Sequence, residues 1–267
     1  MYRLFLLLLA AAMCPLSVSV AQTPASTRDC NARDYRVNDL ASYAEWKEQK
    51  LANASTDYIN PGQNGSIRVH AWSQPDVLVR ACVHTAAPSE SQARQLAAQL
   101  SIAKGSGSIE PSGPSRSDDL LWDVSYEVWL PTSANLHVEA HNGSISVDGV
   151  SGQTRFHTEN GSVYLTGVAG DVEGSTQNGS VSIELAGTRW NGHGLRAQTT
   201  NGSVHLDIPD NFSANVQAST VNGKLRIDFP ITVQGEIGRN AEFQLGDGGP
   251  LIEARSVNGS VTISRKS

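Results

Sequence analysis

The chain has 267 residues, which allows one or two domains with an ample core. Hydrophobic residues make up 39% and charged residues 17%, a composition too apolar and too weakly charged for a disordered chain. The formal net charge of −6 argues against a nucleic-acid-binding protein, which needs a basic surface to neutralise phosphates. No apolar run reaches the ~18 residues of a membrane span, so we expect no transmembrane helix.

Residues 1–21 have the features of a secretory signal peptide. Arg3 gives a positive start, an apolar stretch follows as far as Met13, and Ala21 ends a small-residue cleavage motif. The alternative is a lipoprotein anchored through Cys14, for which Met13 is a poor preceding residue. We therefore expect an exported protein that is periplasmic, exposed on the cell surface or secreted.

Two cysteines remain after this cleavage, Cys30 and Cys82. Exported proteins meet an oxidising compartment, where an even pair of cysteines is usually bridged. The sequence therefore predicts a Cys30–Cys82 disulfide. Neither cysteine has another Cys or a His at a ligand spacing that we recognise, so we expect no metal there.

The segment 22–57 is predicted to be partly helical. The spacing of Leu40, Tyr43 and Leu51 places these apolar residues on one side of a helix over residues 39–53.

Residues 58–130 are predicted to form an α+β cap that covers the first edge of the repeats that follow. Ser89 or Ser91 is the expected N-cap of a helix. That helix would place four apolar residues on one face: Ala93, Leu96, Ala97 and Leu100. Strands are expected over residues 67–72, 77–83 and 120–130.

Residues 131–267 contain six copies of Asn-Gly followed by Ser or Lys, and a seventh copy lies at Asn64. Apolar and polar residues alternate on both sides of each copy, as at Val138 before the bend and Val147 after it. This period of two predicts two short strands per repeat. Glycine adopts positive φ freely and asparagine tolerates it, so we predict a bend at each copy. The predicted turn residues are Asn142, Gly143, Asn160, Gly161, Asn178, Gly179, Asn201, Gly202, Asn222, Gly223, Asn258 and Gly259.

Two all-β architectures fit this repeat. In a β-solenoid of about six to seven repeats, each unit is one turn of a coil and asparagines form ladders along its axis. In an antiparallel β meander, each Asn-Gly closes a hairpin. The identical bend residues favour the solenoid, because a ladder of side-chain hydrogen bonds needs the same residue at the same place in successive turns. The copies at Asn222 and Asn258 are 36 positions apart, twice the 18 between Asn142 and Asn160, which leaves room for a degenerate repeat or a long excursion.

The T-x-N-G-S-V units, the Leu-Pro that precedes them and the closing G-D-G-G-P resemble a bacterial β-strand-repeat family called "putative adhesins". This family is a domain of unknown function in secreted or envelope-associated proteins. The resemblance covers residues 131–267 well and 58–130 more loosely. It implies a β-solenoid with no cofactor and no catalytic residues.

Histidine and carboxylate side chains alternate on the outward face of the first two repeats. Stacking would place Glu139 beside His157 and His141 beside Glu159. Two histidines and a carboxylate could hold a metal, but cross-strand polar pairing is the simpler interpretation. We therefore predict no metal site.

Four repeats carry an acidic residue at a similar place after the bend. Stacked carboxylates could cleave a glycan, although irregular turns explain them more simply. These residues are Asp148, Glu184, Asp207 and Asp228.

The insert at residues 188–194 interrupts the repeat and carries Trp190 and His193. Loops that project from a repeat stack often bind ligands, so these two residues are a candidate ligand face, although Trp190 could equally fold back. The sequence thus indicates an exported, non-enzymatic β-repeat protein with a binding, adhesin-like display or envelope structural role. Its partner would be a glycan or an envelope protein. The alternative is a polysaccharide-acting hydrolase or lyase on a β-helix scaffold.

Overall fold

The computed structural model describes residues 29–52, 56–103, 107–228 and 238–266. The predicted signal peptide and Cys14 lie outside these residues. No α-helix in the described ranges combines the length and apolar character that a bilayer span requires.

The part of the chain before the repeats contains a 3₁₀ helix, six strands and one α-helix in the described ranges. They are the 3₁₀ helix Ala32–Asp34, β1 (Ala41–Leu51), β2 (Thr56–Ile59), β3 (Ile67–Trp72), β4 (Val77–Ala87), α1 (Glu90–Ala98), β5 (Ser108–Ile109) and β6 (Leu121–Pro131).

Each of the six repeats contributes a strand before its Asn-Gly bend and a strand after it. The pairs in chain order are β7 (Asn135–Asn142) with β8 (Ile145–Asp148), β9 (Gln153–Asn160) with β10 (Val163–Thr166), β11 (Asp171–Asn178) with β12 (Val181–Glu184), β13 (Gly194–Asn201) with β14 (Val204–Pro209), β15 (Ala214–Asn222) with β16 (Leu225–Ile227), and β18 (Leu251–Asn258) with β19 (Val261–Lys266); β17 (Asn240–Leu245) lies between the last two pairs.

The described strands form two mixed sheets, so the protein is all-β as predicted. Sheet A has the order β1-β4-β6-β3-β8-β10-β12-β14-β19-β16, and sheet B has the order β17-β15-β18-β13-β11-β9-β7-β2-β5. Neighbouring repeat strands are parallel and in register, as in Val163 opposite Val181. The two strands of one repeat lie in different sheets, so its bend crosses between sheets and closes no hairpin. The hairpin-meander alternative is therefore wrong for the repeats.

The order of repeats in space departs from their order along the chain. Strand β18 lies between β13 and β15, and β19 lies between β14 and β16. The sixth repeat is thus inserted between the fourth and the fifth. The long step before it is an excursion, in which β17 runs antiparallel to β15 at the outer edge of sheet B.

The core lies between the two sheets and consists of the alternate residues that the sequence indicated. Val138 and Val147 have no exposed surface, and the equivalent residues of later repeats are similarly buried. At the end of the stack Leu225 and Ile227 are only partly buried.

The predicted helix after residue 88 is confirmed as α1. Ser89 is its N-cap, accepting a hydrogen bond from the backbone N–H of Gln92, and Ala93 and Leu96 face the core. At its other end Lys47 Nζ donates to the carbonyl oxygen of Leu100 at 2.8 Å, which places a positive charge where the helix dipole is negative.

The helix predicted over residues 39–53 is wrong. The segment forms strand β1, which pairs with β4 over its whole length, from Ala41 opposite Ala87 to Leu51 opposite Val77. Eleven residues of sheet pairing outweigh a weak helical spacing of apolar residues, since intrinsic propensity is overridden by tertiary context.

Candidate functional site

The asparagines of the seven Asn-Gly bends that are followed by Ser or Lys form one continuous ladder of side-chain hydrogen bonds. Within it, Asn160 Nδ2 donates to Asn142 Oδ1 and Asn178 Nδ2 donates to Asn160 Oδ1, both at 2.9 Å. At the first end Asn64 Nδ2 donates to Asp123 Oδ1 at 3.1 Å. The order of the ladder is Asn64, Asn142, Asn160, Asn178, Asn201, Asn258 and Asn222.

The predicted positive φ is found at Gly65, Gly202 and Gly259, at +150°, +156° and +157°. The other bends need glycine for a different reason. Gly161 does not lie in the left-handed region. A Cβ at Gly161 would instead lie 2.0 Å from the carbonyl oxygen of Gly143 in the neighbouring repeat, and a Cβ at Gly179 would lie 2.1 Å from that of Gly161. Stacked backbones therefore approach too closely for any side chain.

Sequence reasoning missed a second row of hydrogen bonds, formed by a buried hydroxyl two residues before the asparagine in five of the seven ladder positions. Thr176 Oγ1 donates to the carbonyl oxygen of Gly161 at 2.8 Å, and Thr199 Oγ1 donates to that of Gly179 at 2.7 Å. The recurrent Thr in T-x-N-G was the available signal. Thr158, Thr220 and Ser256 make the equivalent bond in their repeats.

A row of alternating charges crosses the outer face of sheet A near its capped end. The register places Glu48, Arg80, Glu127 and Arg68 side by side on β1, β4, β6 and β3. Arg80 Nε donates to Glu48 Oε2 at 2.7 Å. Glu127 is only 4% exposed, so the two flanking arginines compensate a carboxylate that is otherwise costly to bury.

Histidine 70 lies beside this row between two acids. Its Nε2 is 3.5 Å from Glu127 Oε1, and its Nδ1 is 3.9 Å from Asp148 Oδ2. Its ring stacks on Trp129 with centroids 5.4 Å apart. The imidazole is thus held in one orientation at the surface.

These residues border two adjoining cavities, which share Ser66 and Arg68. The first has a volume of about 420 Å³ and reaches Trp46 and Glu127; the second has a volume of about 600 Å³ and is bounded by Asp148, Tyr164 and neighbouring serines. We call the pair the Arg68 groove. Its size is in the range of small-ligand sites, and it offers guanidinium, imidazole, carboxylate and hydroxyl groups with aromatic rings at both ends. Tyr164 is 49% exposed and Trp46 is 39% exposed.

The predicted disulfide is confirmed beside this groove, where Cys30 is bonded to Cys82 across a separation of 52 residues. The expectation that no histidine lies at ligand spacing is wrong. His84 follows Cys82 on the same face of β4, with its ring nitrogens 3.6–3.7 Å from the Cys82 sulfur. Burial lowers the pKa of His84 from 6.5, which favours the neutral imidazole.

Cys30, Cys82 and His84 are also the one group of three potential metal ligands with donor atoms mutually within 4.8 Å in the described part of the chain. The disulfide uses both sulfurs. This group therefore does not offer thiolate ligands in the oxidised protein.

The two residues of the candidate ligand face on the insert, Trp190 and His193, differ in exposure. Trp190 is only 5% exposed, and its Nε1 donates to the carbonyl oxygen of Gly170 at 3.1 Å, so its ring folds back onto the core and offers no exposed surface for a ligand. His193 is exposed. The sequence left both outcomes open for Trp190 because nothing local distinguishes them.

The histidine and carboxylate cluster forms separate pairs across sheet B. His141 Nδ1 lies 2.8 Å from Glu159 Oε2, as predicted. Glu139 is opposite His157 in the register but contacts His137 at 3.1 Å and accepts a hydrogen bond from Tyr58. The His141–Glu159 and Tyr58–Glu139 contacts are cross-strand polar pairs, whereas His137 and Glu139 lie on the same strand, β7.

The predicted acidic stack is partly assembled on sheet A. Glu184 and Asp207 are register neighbours, whereas Thr166 separates Glu184 from Asp148. Lys266 Nζ forms an ion pair with Glu184. Asp228 follows the last residue of β16 at the far edge of this sheet.

A sequence profile described as Toastrack DUF4097 matches residues 90–264. The chain belongs to this family. The resemblance seen in the repeat motifs is thereby confirmed. The Toastrack match begins at the first residue of α1 and ends in β19. It contains Glu127, Asp148 and Tyr164 of the groove, whereas Trp46 and Arg68 precede it.

Among curated proteins none matches the chain. Three solved structures are similar to it. A "putative cell adhesion protein" from Clostridium sporogenes has 13% identity and a TM-score of 0.48, covering 85% of this chain and 100% of its own. A "putative adhesin" from Bacteroides fragilis has 12% identity and a TM-score of 0.37, covering 83% and 97%. One from Parabacteroides distasonis has 11% identity and a TM-score of 0.30, covering 82% and 97%. At these identities none of them transfers a function to the Toastrack chain.

Proposed function

We propose that this Toastrack protein is exported and acts as a non-enzymatic binding or envelope structural protein, with the Arg68 groove as its binding site for a glycan. Residues 135–266 would coil as a β-solenoid and serve as a rigid scaffold, with residues 29–131 capping its first end. The parallel, in-register pairing of successive repeats and the continuous asparagine ladder support the solenoid.

Export is supported by the Cys30–Cys82 disulfide. Disulfides form and persist in oxidising compartments such as the periplasm and the extracellular space. Residues 1–21 would then be removed as a signal peptide, which leaves the mature chain in a compartment where glycans are accessible.

The single observation that carries the binding role is the composition of the Arg68 groove. Sugars present hydroxyl groups along their edges and apolar C–H faces above and below the ring. Arg68, Asp148 and the groove serines supply donors and acceptors for the hydroxyls, and the exposed ring of Tyr164 supplies a stacking surface. Because the wall residues lie on neighbouring strands of one sheet, the groove is preorganised for its ligand.

The test is binding of the full mature chain to an array of bacterial surface glycans, with Tyr164→Ala as the groove variant. Tyr164 is exposed, so its replacement should leave the melting temperature unchanged while affinity for any captured glycan falls about tenfold, equivalent to ~1.4 kcal/mol. Leu251→Ala removes a comparably exposed apolar side chain from sheet B and should bind normally.

Equal binding by the wild type and Tyr164→Ala would refute the groove as the site. Absence of binding to every glycan would refute the ligand class. Release of new reducing ends from a bound polysaccharide would refute the non-enzymatic role and favour the hydrolase alternative.

A further inference from the structure

Asparagine followed by glycine is the most reactive dipeptide for spontaneous deamidation. The backbone nitrogen of the glycine attacks Cγ of the asparagine, a new N–Cγ bond forms, the Cγ–Nδ2 bond breaks, and the proton from the glycine nitrogen leaves with ammonia. Water then opens the cyclic succinimide to aspartate or isoaspartate. The only co-reactant is water. This chain carries eight such dipeptides. Seven lie at the ladder bends, and the eighth, Asn191-Gly192, lies in the exposed insert outside the ladder.

The stack restrains the nucleophile in six of the seven. In each of them the glycine N–H donates to the backbone carbonyl oxygen of the asparagine in the next repeat of the stack. Gly161 N donates to Asn178 O at 3.0 Å, for example. A nitrogen held in such a bond cannot turn towards its own asparagine side chain unless the strands separate. The other five glycines bonded in this way are Gly65, Gly143, Gly179, Gly202 and Gly259.

The seventh dipeptide, Asn222-Gly223, is at the far end of the ladder and has no next repeat. Within the described ranges the Gly223 N–H has no acceptor. The Asn222 side chain has one ladder bond, from its Nδ2 to Asn258 Oδ1 at 2.9 Å, whereas an interior asparagine has two. We propose that, among the seven ladder asparagines, Asn222 is the deamidation site of the folded protein and that the other six are protected.

Because the sixth repeat is inserted between the fourth and the fifth, the dipeptide at the end of the ladder is not the last one along the chain. If repeats stacked in chain order, Asn258-Gly259 would end the ladder and react first. In the structure Gly259 N donates to Asn222 O at 3.1 Å, so this dipeptide is an interior one. The position of the reactive asparagine therefore reports which repeat is terminal.

Deamidation at Asn222 would also weaken the end of the stack. The amide donor that reaches Asn258 Oδ1 would become a carboxylate oxygen, and two acceptors would then face each other. The isoaspartate product adds a methylene to the backbone, which shifts the register of β16 against β19. The product would thus be a chain whose fifth repeat is loosened.

The experiment is incubation of the full chain at mildly alkaline pH, with and without denaturant, followed by peptide mapping with mass spectrometry. The deamidation rate of each asparagine in the native protein is divided by its rate in denaturant, which removes intrinsic sequence effects. We expect this ratio to be at least about tenfold higher at Asn222 than at any other ladder asparagine, equivalent to ~1.4 kcal/mol.

Lys224→Ser is the matched control, because it gives all seven ladder dipeptides the same following residue. The preference for Asn222 should persist in this variant. Amide hydrogen exchange offers a second measurement, in which the Gly223 amide should exchange fastest of the seven glycine amides. Equal ratios at all sites, a highest ratio at Asn258, or loss of the preference in Lys224→Ser would each overturn the proposal.

Discussion

Asn222 Nδ2 donates to Asn258 Oδ1 at 2.9 Å, although 36 positions separate the two residues along the chain. The same bond joins Asn142 and Asn160, which belong to consecutive repeats. A repeat can therefore join the ladder when its shape and bend residues match those of its neighbours, whatever its position along the chain. Identical bends are what allow the C-terminal repeat to be inserted between two others.

The first prediction concerns the contact between stacked glycines. Gly161→Ala should destabilise the protein by about 3 kcal/mol or more, because the added Cβ meets a backbone carbonyl that cannot rotate away. Urea unfolding of the purified variants measures the change. Gly238→Ala is the control: no atom of the described residues lies within 4 Å of its Cβ position, so its effect should stay within about 0.5 kcal/mol. Equal effects at the two positions would refute the close approach.

The second prediction uses two threonines of the same strand, β9. Thr158 Oγ1 donates to the carbonyl oxygen of Gly143 at 3.0 Å, whereas the buried Thr154 Oγ1 has no hydrogen-bond partner among the described residues. Thr158→Val should therefore destabilise the fold by about 1–2 kcal/mol. Thr154→Val should stabilise it by up to about 1 kcal/mol, since it removes an unsatisfied buried hydroxyl. Chemical denaturation of both variants tests the pair, and the idea fails if the two changes have the same sign.

The third prediction is that the disulfide stabilises the capped end. Cys30 and Cys82 close a loop of 52 residues, for which the chain-entropy estimate is ~4 kcal/mol. Reduction with a phosphine should lower the melting temperature, and a variant with both cysteines replaced by Ser should melt at the lower temperature with or without reductant. Two free thiols in protein purified from the periplasm would contradict the bridge.

The fourth prediction is a loss of stability on acidification that depends on His84. Burial lowers the pKa of His84 from 6.5, so the fold favours the neutral ring. Its contribution is complete above the ordinary histidine pKa and is lost as the pH falls below it. His84→Phe cannot be protonated and keeps a ring beside Tyr35. Between about pH 7 and pH 5 its unfolding free energy should fall less steeply than that of the wild type. An unchanged slope would show that other groups control the acid response.

Sequence periodicity predicted the local structure of the repeats well. The alternation around Val163 and Leu165 has a period of two, and both residues are buried as that alternation requires. The Asn-Gly bends and the Cys30–Cys82 pair were also found from the sequence, because each depends on local chemistry or on a count of two cysteines.

Long-range order was not predictable in the same way. Nothing near Asn258 distinguishes a terminal repeat from an inserted one, because all repeats carry the same bend residues. The Arg68 groove was missed since its walls come from strands far apart in the chain, β3, β6 and β10, and only the register brings Arg68 beside Glu127. The reason for glycine at position 161 was likewise a contact between repeats and not a torsion angle.

Insertion of the sixth repeat has a consequence for synthesis. A ribosome delivers β15 and β16 before β18 and β19, yet the earlier pair has its main contacts with the later one. Until β18 and β19 are available, the fifth repeat lacks the neighbour on which it packs, and β14 presents an unpaired parallel edge. A nascent chain stalled before β18 would therefore expose the very strand edges that promote aggregation.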